Sequence, residues 1–221
     1  MKQQKRLKKL VLIGAGGFGR EVAQMIVQLN FSGRKYELLG FLDDGKQFNS
    51  DSLIDGYPWL GDSSWILEHK NDIVCNCTIG NPSLRARIQR KLMGQGVQFE
   101  TIIAATAGIA AYTEIGVGCV IGWSVGISVN CKIGNGVLLN DGVRIGHDAV
   151  IGDYTTIMSN TGISGNCVIG EEVDIGGHAF IVPRKKIGNR AKIAAGSIVF
   201  SNVKAGTTVL GNPAKRMREL E

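Results

Sequence analysis

The sequence predicts an α/β domain built on a small parallel sheet, followed by a parallel β-helix, and three observations carry that reading. From Ile109 to Val199 an aliphatic residue returns at every sixth position, sixteen times in succession, with Leu139 and Val199 the only departures from isoleucine. Before the repeat, the apolar run Leu10 to Ile13 leads straight into the glycine loop Gly14-Ala15-Gly16-Gly17-Phe18-Gly19. The repeat leaves room for a first domain over residues 1–104 and a second over 105–221.

In chain order, Leu10 to Ile13 reads as a buried parallel strand and Arg20 to Leu29 as an amphipathic helix. Strand, glycine loop and helix together make a phosphate cradle, because backbone N–H groups at a helix start face an anion. The plainer use of the same glycines is a tight strand-to-helix turn. Tyr36 to Leu42 reads as a second strand ending in Asp43-Asp44, where ribose or base recognition falls in a nucleotide-binding sheet. A third strand, Ile73 to Ile79, ends in Gly80-Asn81-Pro82 and starts a helix running from Ser83 to Leu92; a short strand, Phe99 to Ile103, then feeds the repeat. This length suffices for one βαβαβ half of a Rossmann-like domain, which favours a mononucleotide or nucleotide-sugar over NAD.

A period of six fits neither an α-helix nor an alternating strand, and it is the mark of a β-helix in which each hexad supplies one short strand and one corner. Four places after each aliphatic residue comes a small or β-branched one, with Lys185 the sole break. Glycine follows the aliphatic residue repeatedly, as in Ile115-Gly116, Ile145-Gly146 and Ile175-Gly176, which suggests a corner needing unusual φ/ψ. With three hexads per coil, sixteen give a little over five coils. The period does not set the handedness; the general rule for parallel crossovers is right-handed.

The 221 residues are 44% hydrophobic and 20% charged, which fits a soluble globular protein. No apolar run reaches the length of a membrane-spanning helix. The formal charge of +6 is concentrated in Lys2 to Lys9 and Lys215 to Arg218, without the interleaved aromatics of a nucleic-acid-binding stripe. The apolar core after the basic start is too short for a signal peptide, so a cytoplasmic location is expected. Among five cysteines, Cys119, Cys131 and Cys167 fall in the inner small column and read as packing atoms; Cys75-Asn76-Cys77 lacks the spacing of a structural zinc site.

Of three histidines, His147 lies in Ile145-Gly146-His147-Asp148, two residues past the aliphatic position and so facing outward. A neutral imidazole there suits a general base taking a proton from an attacking amine or hydroxyl; an exposed loop histidine is the plain alternative. Asp148 cannot support it by adjacency alone, since neighbours in an extended strand point to opposite faces, although a corner would relieve that objection. His178 fits either a cofactor flank or a groove between subunits, and His69 an exposed position.

Several segments carry a resemblance over nearly the whole chain: G-A-G-G-F-G (Gly14 to Gly19), F-L-D-D (Phe41 to Asp44), I-G-N-P-S-L-R (Ile79 to Arg85) and, after the hexads, G-N-P-A-K-R-M (Gly211 to Met217). The sequence resembles the bacterial sugar acetyltransferases, a group with PglD and perosamine N-acetyltransferases and NeuD-type sialic acid O-acetyltransferases. The resemblance implies a left-handed β-helix, acetyl-CoA as co-substrate without a metal, and a homotrimer with active sites between neighbouring prisms. It implies that His147 is the general base in direct attack on the thioester, with Asp148 raising its basicity and Asn140 an active-site asparagine. It places Thr156, Gly165, Gly177 and Ala195 along the acetyl-CoA groove, with Lys215 and Arg216 toward the cofactor's phosphates. For the nucleotide-sugar it points to Gly16, Gly17 and Phe18 in the phosphate loop, Asp43 and Asp44 for base recognition, and Gly80 as a further contact. PglD-type relatives carry histidine in place of Phe18 and of Thr156, so the resemblance leaves the general base untouched but does not carry over the acceptor or the exact cofactor contacts.

The function so implied is N-acetylation of a nucleotide-linked amino sugar in surface glycan synthesis. O-acetylation of sialic acid or another sugar would use the same base. A zinc hydrase of the γ-carbonic anhydrase kind needs three protein ligands, and the repeat holds only His147 and His178. A non-enzymatic module sensing a nucleotide through its first domain is the fourth possibility.

Overall fold

The computed structural model describes residues 7–33, 36–45, 49 and 53–217. Lys2 to Arg6 and Arg218, half of the basic residues of the two ends, lie outside them.

The first domain contains β1 (Lys8–Ile13), α1 (Gly17–Phe31), β2 (Tyr36–Leu42), β3 (Leu53–Ile54), β4 (Tyr57–Gly61), α2 (Trp65–His69), β5 (Val74–Cys77) and α3 (Pro82–Gly94). The sheet runs in the order β3-β4-β2-β1-β5, parallel except for the β3–β4 hairpin. The interior strand β1, between β2 and β5, presents Leu10 to Ile13, all buried, which is why it is apolar on both faces. The three expected strands and two expected helices are present. The β3–β4 hairpin and α2 are additions, and the hairpin turns on Asp55-Gly56, both at positive φ (48° and 89°) as a two-residue turn demands. Helix α3 starts on a cap that the sequence spells out: Asn81 accepts from the Leu84 N–H at 2.9 Å, and Pro82 follows it.

The expected strand from Phe99 to Ile103 shrinks to β6 (Ile102–Ile103), with Phe99 making one bridge to Cys75. β6 pairs with Val120–Ile121, so the coil already begins at Ile102, slightly before the boundary expected at residue 104.

From there the chain winds as a left-handed β-helix. Among the described residues, sixteen two-residue strands follow, from Gly108–Ile109 to Ile198–Val199, each ending on the aliphatic residue of its hexad. Each strand up to Phe180–Ile181 pairs in parallel with the one eighteen residues on, as Arg144–Ile145 does with Gly162–Ile163, which gives a prism of three flat faces; the last coil is shorter, Lys192 pairing with Thr208. The aliphatic column and the small column fill the interior: Ile121, Leu139, Ile157 and Ile175 are wholly buried, as are Cys119, Val137, Cys167 and Val173. The first hexads depart from this pattern. Ile109 is 38% exposed, because its strand pairs only with the following coil and the prism is open at that end.

The glycines after the aliphatic residues serve a different purpose from the one expected. They do not take positive φ; a Cβ on Gly146 would lie 2.5 Å from the Gly165 nitrogen, and one on Gly176 2.5 Å from the Ala195 nitrogen. These positions exclude a side chain because successive coils touch there. Positive φ falls two residues later, on Asn130 (57°), Asp148 (58°), Tyr154 (59°) and Asn160 (58°). Asn and Asp tolerate that region best among side-chain-bearing residues. Along the edges, Asx side chains brace the coils: Asp141 accepts from the Trp123 N–H at 3.0 Å and Asp153 from the Asn135 N–H at 2.8 Å.

The first domain sits on one prism face, the face bearing Ile102, Val120, Leu138 and Thr156, all buried. Ile102 and Val120 join the apolar cluster of β1, α1 and β2, and Trp123 Nε1 donates to Gln28 Oε1 at 2.6 Å. A second face, bearing Gly126, Arg144, Gly162 and Phe180, lines an open trough of 680 Å³, and Phe180 is 45% exposed. The third face bears Lys132, Val150 and Val168.

Candidate active site

Two sites emerge, on opposite sides of the prism. The first is a cavity of 760 Å³ in the α/β domain, lined by Gly16, Gly17, Phe18, Asp43, Asp44 and Gly80 together with Ser63, Thr78, Leu84, Arg87, Ile88 and Lys91. All six residues expected to meet a nucleotide-sugar therefore line one space. Gly16 caps α1, whose first N–H groups open onto the cavity, and a Cβ on Gly16 or Gly17 would meet nothing of the chain within 4 Å. Gly19 is required for a different reason: its Cβ would fall 2.1 Å from the Gly14 carbonyl oxygen.

The two aspartates shape the cavity as well as facing it. Asp43 accepts from the Ala15 N–H at 2.9 Å and the Gly45 N–H at 3.0 Å, which ties the end of β2 to the glycine loop. Asp44 accepts from the backbone N–H and the hydroxyl of Ser63 at 2.7 and 2.9 Å. Opposite the glycine loop stand Arg87 and Lys91, two exposed cations one helical turn apart on α3. Sequence reasoning missed them, although Leu84, Arg87, Ile88 and Lys91 share the spacing of one helix face.

The second site lies on the prism edge between the second and third faces, opposite the face that carries the α/β domain. His147 Nδ1 and Asp148 Oδ2 are 2.7 Å apart. The positive φ of Asp148 turns the chain at that residue and brings the two neighbouring side chains together, as the strand geometry alone would not. Hydrogen bonds from Asn130, the larger influence, and from His147 hold the Asp148 carboxyl below the usual carboxylate range. An ionised carboxylate only accepts, so Nδ1 carries the proton and Nε2 is left with its lone pair. The imidazole lies along the edge above Gly165, where a Cβ would come within 2.6 Å of Nε2. Gly165 thus gives the ring its place on the edge.

The other residues expected along the acetyl-CoA groove are dispersed. Asn140 opens the edge between the first and second faces, its Oδ1 accepting from the Asp141 N–H at 2.8 Å. Gly177 and Ala195 stack on that same edge in successive coils, where Gly196 N–H donates to the Gly177 carbonyl at 2.9 Å. Their small size leaves backbone approachable there. Exposed His178 follows Gly177. Lys215 and Arg216 are exposed in a hairpin with Thr208–Leu210 that closes the last coil.

Thr156 is a correction. It is 1% exposed, and its hydroxyl is taken up between Arg85 Nη2 and the Gly80 carbonyl, both at 2.8 Å. It belongs to the junction of the two domains, not to an open groove. At this junction, Arg85 spends its buried guanidinium on carbonyls of both domains. The cysteines are all buried; burial pushes Cys75 and Cys77 up to about 12 and Cys119 up to about 11, so the thiols stay protonated.

Comparison with known proteins follows the same division. Residues 9–92 match the PglD N-terminal domain, and residues 130–163 and 148–183 match the bacterial transferase hexapeptide of six repeats. WeeI from Acinetobacter baumannii AYE is 30% identical, over 95% of this chain and 100% of that one, with a TM-score of 0.85. The chain belongs to the PglD-type family of sugar acetyltransferases. Other members have the same shape. The acetyltransferase domain of PglB from Neisseria gonorrhoeae FA1090, solved with acetyl coenzyme A, is 28% identical over 96% of this chain and 100% of its own, with a TM-score of 0.88. PerB from Caulobacter crescentus, solved with CoA and GDP-perosamine, shares the fold at 23% identity, over 96% of this chain and 99% of its own, with a TM-score of 0.85. Among curated proteins no match is found. Among the described residues, no helix is long and apolar enough to cross a membrane, and no group of three or more His, Cys, Asp and Glu side chains is placed to hold a metal ion.

Proposed function

We propose that this protein transfers the acetyl group of acetyl-CoA to the amine of a nucleotide-linked amino sugar in the cytoplasm, for surface glycan synthesis. The observation that carries the reading is the His147–Asp148 pair at 2.7 Å, on an exposed edge of a chain that also builds a 760 Å³ cavity over a glycine loop at a helix N-terminus. Nε2 takes a proton from the amine as its nitrogen attacks the thioester carbonyl. When the tetrahedral intermediate collapses, the C–S bond breaks and the imidazolium returns that proton to the departing CoA thiolate. Asp148 stabilises the imidazolium between the two steps and keeps the ring in the productive tautomer.

In the acceptor site, the α1 N-terminus and the Arg87–Lys91 pair face the diphosphate from two sides, and Asp43 and Asp44 are left to read the base and ribose. Phe18, in place of the relatives' histidine, offers an apolar ring where they offer a donor. The donor thioester is the bound partner of the PglB domain, and the small residues Gly177 and Ala195 suit its pantetheine arm here. Residues 1–104 are the acceptor unit and 105–221 the donor unit in this scheme.

A nucleotide-sugar in the cavity faces away from His147 of its own chain, because the α/β domain covers the face opposite the His147 edge. The second face is uncovered, apolar and flanked by the two edges that matter. Three copies with that face turned to a common axis set His147 of one beside Asn140, Gly177 and Ala195 of the next, which supports a homotrimer with shared sites.

The test is acetyl transfer from acetyl-CoA to a panel of nucleotide-linked amino sugars and matched hydroxyl acceptors, by wild type and His147→Ala. The proposal expects transfer to an amine and its loss in the variant. Transfer confined to hydroxyls would replace N- by O-acetylation, and undiminished transfer by the variant would remove His147 as base.

A further inference from the structure

The edge that carries His147 holds a third residue that neither the motif nor the adjacency brings to notice. Asn130 occupies the corner one coil before Asp148, eighteen residues earlier, and both residues sit at nearly the same left-handed φ (57° and 58°). Its Nδ2 donates to Asp148 Oδ1 at 2.7 Å, while Asp148 Oδ2 meets His147 Nδ1 at 2.7 Å. The backbone locks the arrangement: the Asp148 N–H donates to the Val129 carbonyl at 3.1 Å, and the Asn166 N–H in the next coil to the His147 carbonyl at 2.9 Å. Each carboxylate oxygen thus has its own donor, one of which titrates and one of which cannot.

We propose that Asn130 is a positioning residue for the acetyl transfer: its amide fixes the Asp148 carboxylate in the orientation that holds the His147 ring and sets its basicity. The inference rests on His147 being the base.

The physical argument is about freedom. Asp148 is 42% exposed in its side chain and His147 57%, so water competes for both ends of their bond. A carboxylate held at one oxygen only would rotate out to solvent. Asn130 removes that freedom, and because an amide N–H cannot ionise it holds over the whole working pH range. Asparagine also tolerates the positive φ of the corner, so residue type and backbone agree.

Other groups facing this pair are few. Within the core, the Cys131 thiol is raised by burial first, with the Asp148 charge adding to the effect. Along the edge, Tyr112 and Arg184 lie two coils away on either side, beyond the Asn130 and Asn166 corners. On the flanking faces, Arg144 turns its guanidinium to the Ser124 carbonyl at 2.7 Å, and Lys132 points outward from the strand beside Val150. None of these intervenes between Asn130, Asp148 and His147.

The test uses two substitutions that keep the corner. Asn130→Gly removes the amide and suits positive φ. Asn130→Asp keeps the shape and places a second carboxylate beside the first. The readout is the His147 ring titration by NMR in the full-length protein, its signal assigned with His147→Ala, alongside the pH dependence of kcat/KM. With the carboxylate released, Asn130→Gly lowers the His147 midpoint by about half a pH unit, and Asn130→Asp raises it by a similar amount through added negative charge. Transfer in Asn130→Gly falls about tenfold in kcat/KM, as for other groups that orient a catalytic histidine. A purely structural role would lower the melting temperature and leave both midpoints in place, and that outcome overturns the inference. If His147→Ala transfers normally while the midpoints move as expected, Asn130 still sets the imidazole and only the assignment of the base fails.

Discussion

Arg85 makes the sharpest demand on the structure. Its side chain is 1% exposed and donates from Nε to the Gly136 carbonyl (2.8 Å), from Nη1 to those of Ile79 (2.6 Å) and Gly80 (3.0 Å), and from Nη2 to the Tyr154 carbonyl (2.7 Å) and the Thr156 hydroxyl (2.8 Å). Burial lowers its pKa to about 10, which still leaves it charged at neutral pH. No carboxylate pairs with it among the described residues, so carbonyl dipoles and one hydroxyl solvate the cation. Hydrogen bonds to a charged group contribute ~1.5–3 kcal/mol each, but desolvating the guanidinium costs several kcal/mol in return. What remains on truncation is the penalty of the buried Gly136 and Tyr154 carbonyls without their donor, with Ile79 losing its partner as well, and breaking such a network costs ~3–5 kcal/mol. For a chain of this size that is a fall of about 6–20 °C in Tm. Differential scanning calorimetry of Arg85→Ala and Arg85→Lys checks it; lysine, a point charge with three donors, recovers only part of the loss. Because Ile79 and Gly80 line the cavity, Arg85→Ala also loses the thermal shift that a nucleotide-sugar gives the wild type. A Tm within about 2 °C of wild type for Arg85→Ala would refute the claim that this side chain is a principal tie between the two domains.

Two further outcomes follow from the geometry. If sites are shared between copies, His147→Ala and Arg87→Glu/Lys91→Glu, each inactive at limiting acceptor, recover about a quarter of wild-type transfer when mixed one to one, unfolded together and refolded; a mixture no better than its parts places both sites in one chain. Glu172 links α3 to the prism through Ser83 (2.9 Å), Arg90 (2.9 Å) and Arg190 (3.2 Å). Burial pushes its carboxyl up, but the hydrogen bonds from Arg190, Ser83 and Arg90 outweigh this and leave it below its ordinary 4.5. A depressed acid stabilises the fold above its unfolded value and loses that contribution as pH falls through the folded one. The Tm difference between wild type and Glu172→Gln is therefore constant at neutral pH and shrinks on acidification below 4.5; a difference that persists unchanged into strong acid contradicts the linkage.

The prism was legible because its information is periodic: a column of Ile109 to Val199 at a spacing of six leaves one way to bury the aliphatic side chains. The corner glycines were legible as glycines but not as to cause, since a sequence does not distinguish a backbone that needs positive φ from one that has no room for a Cβ. Gly146 and Gly176 belong to the second kind, and Asn130 and Asp148 took the first. His147 stood out by its outward place, whereas its contact with Asp148 needed the left-handed corner between them. Thr156 was misplaced because nothing in its hexad tells which face the first domain covers; that is settled by Arg85, far away in sequence. Arg87 and Lys91 were readable as one helix face, but only the packing of α3 against the glycine loop turns that face into a cavity wall.

The eighteen-residue coil has a consequence for how such a protein can change. Each edge is a graduated scale, with one rung for every parallel strand spacing of ~4.8 Å. Inserting one whole coil between the α/β domain and Ile145 would preserve the interior yet lift His147 one rung along the axis. Inserting one hexad would carry it round to a different edge, with the hydrophobic columns still in register. The packed interior therefore tolerates lengths in multiples of six, while the junction does not, since Arg85 must still reach Gly136, Tyr154 and Thr156, and site geometry does not either, since a displacement of even ~1 Å can cost about a hundredfold in rate. The number of hexads before His147 is thus held by the domain junction as well as by whatever the His147 edge must meet.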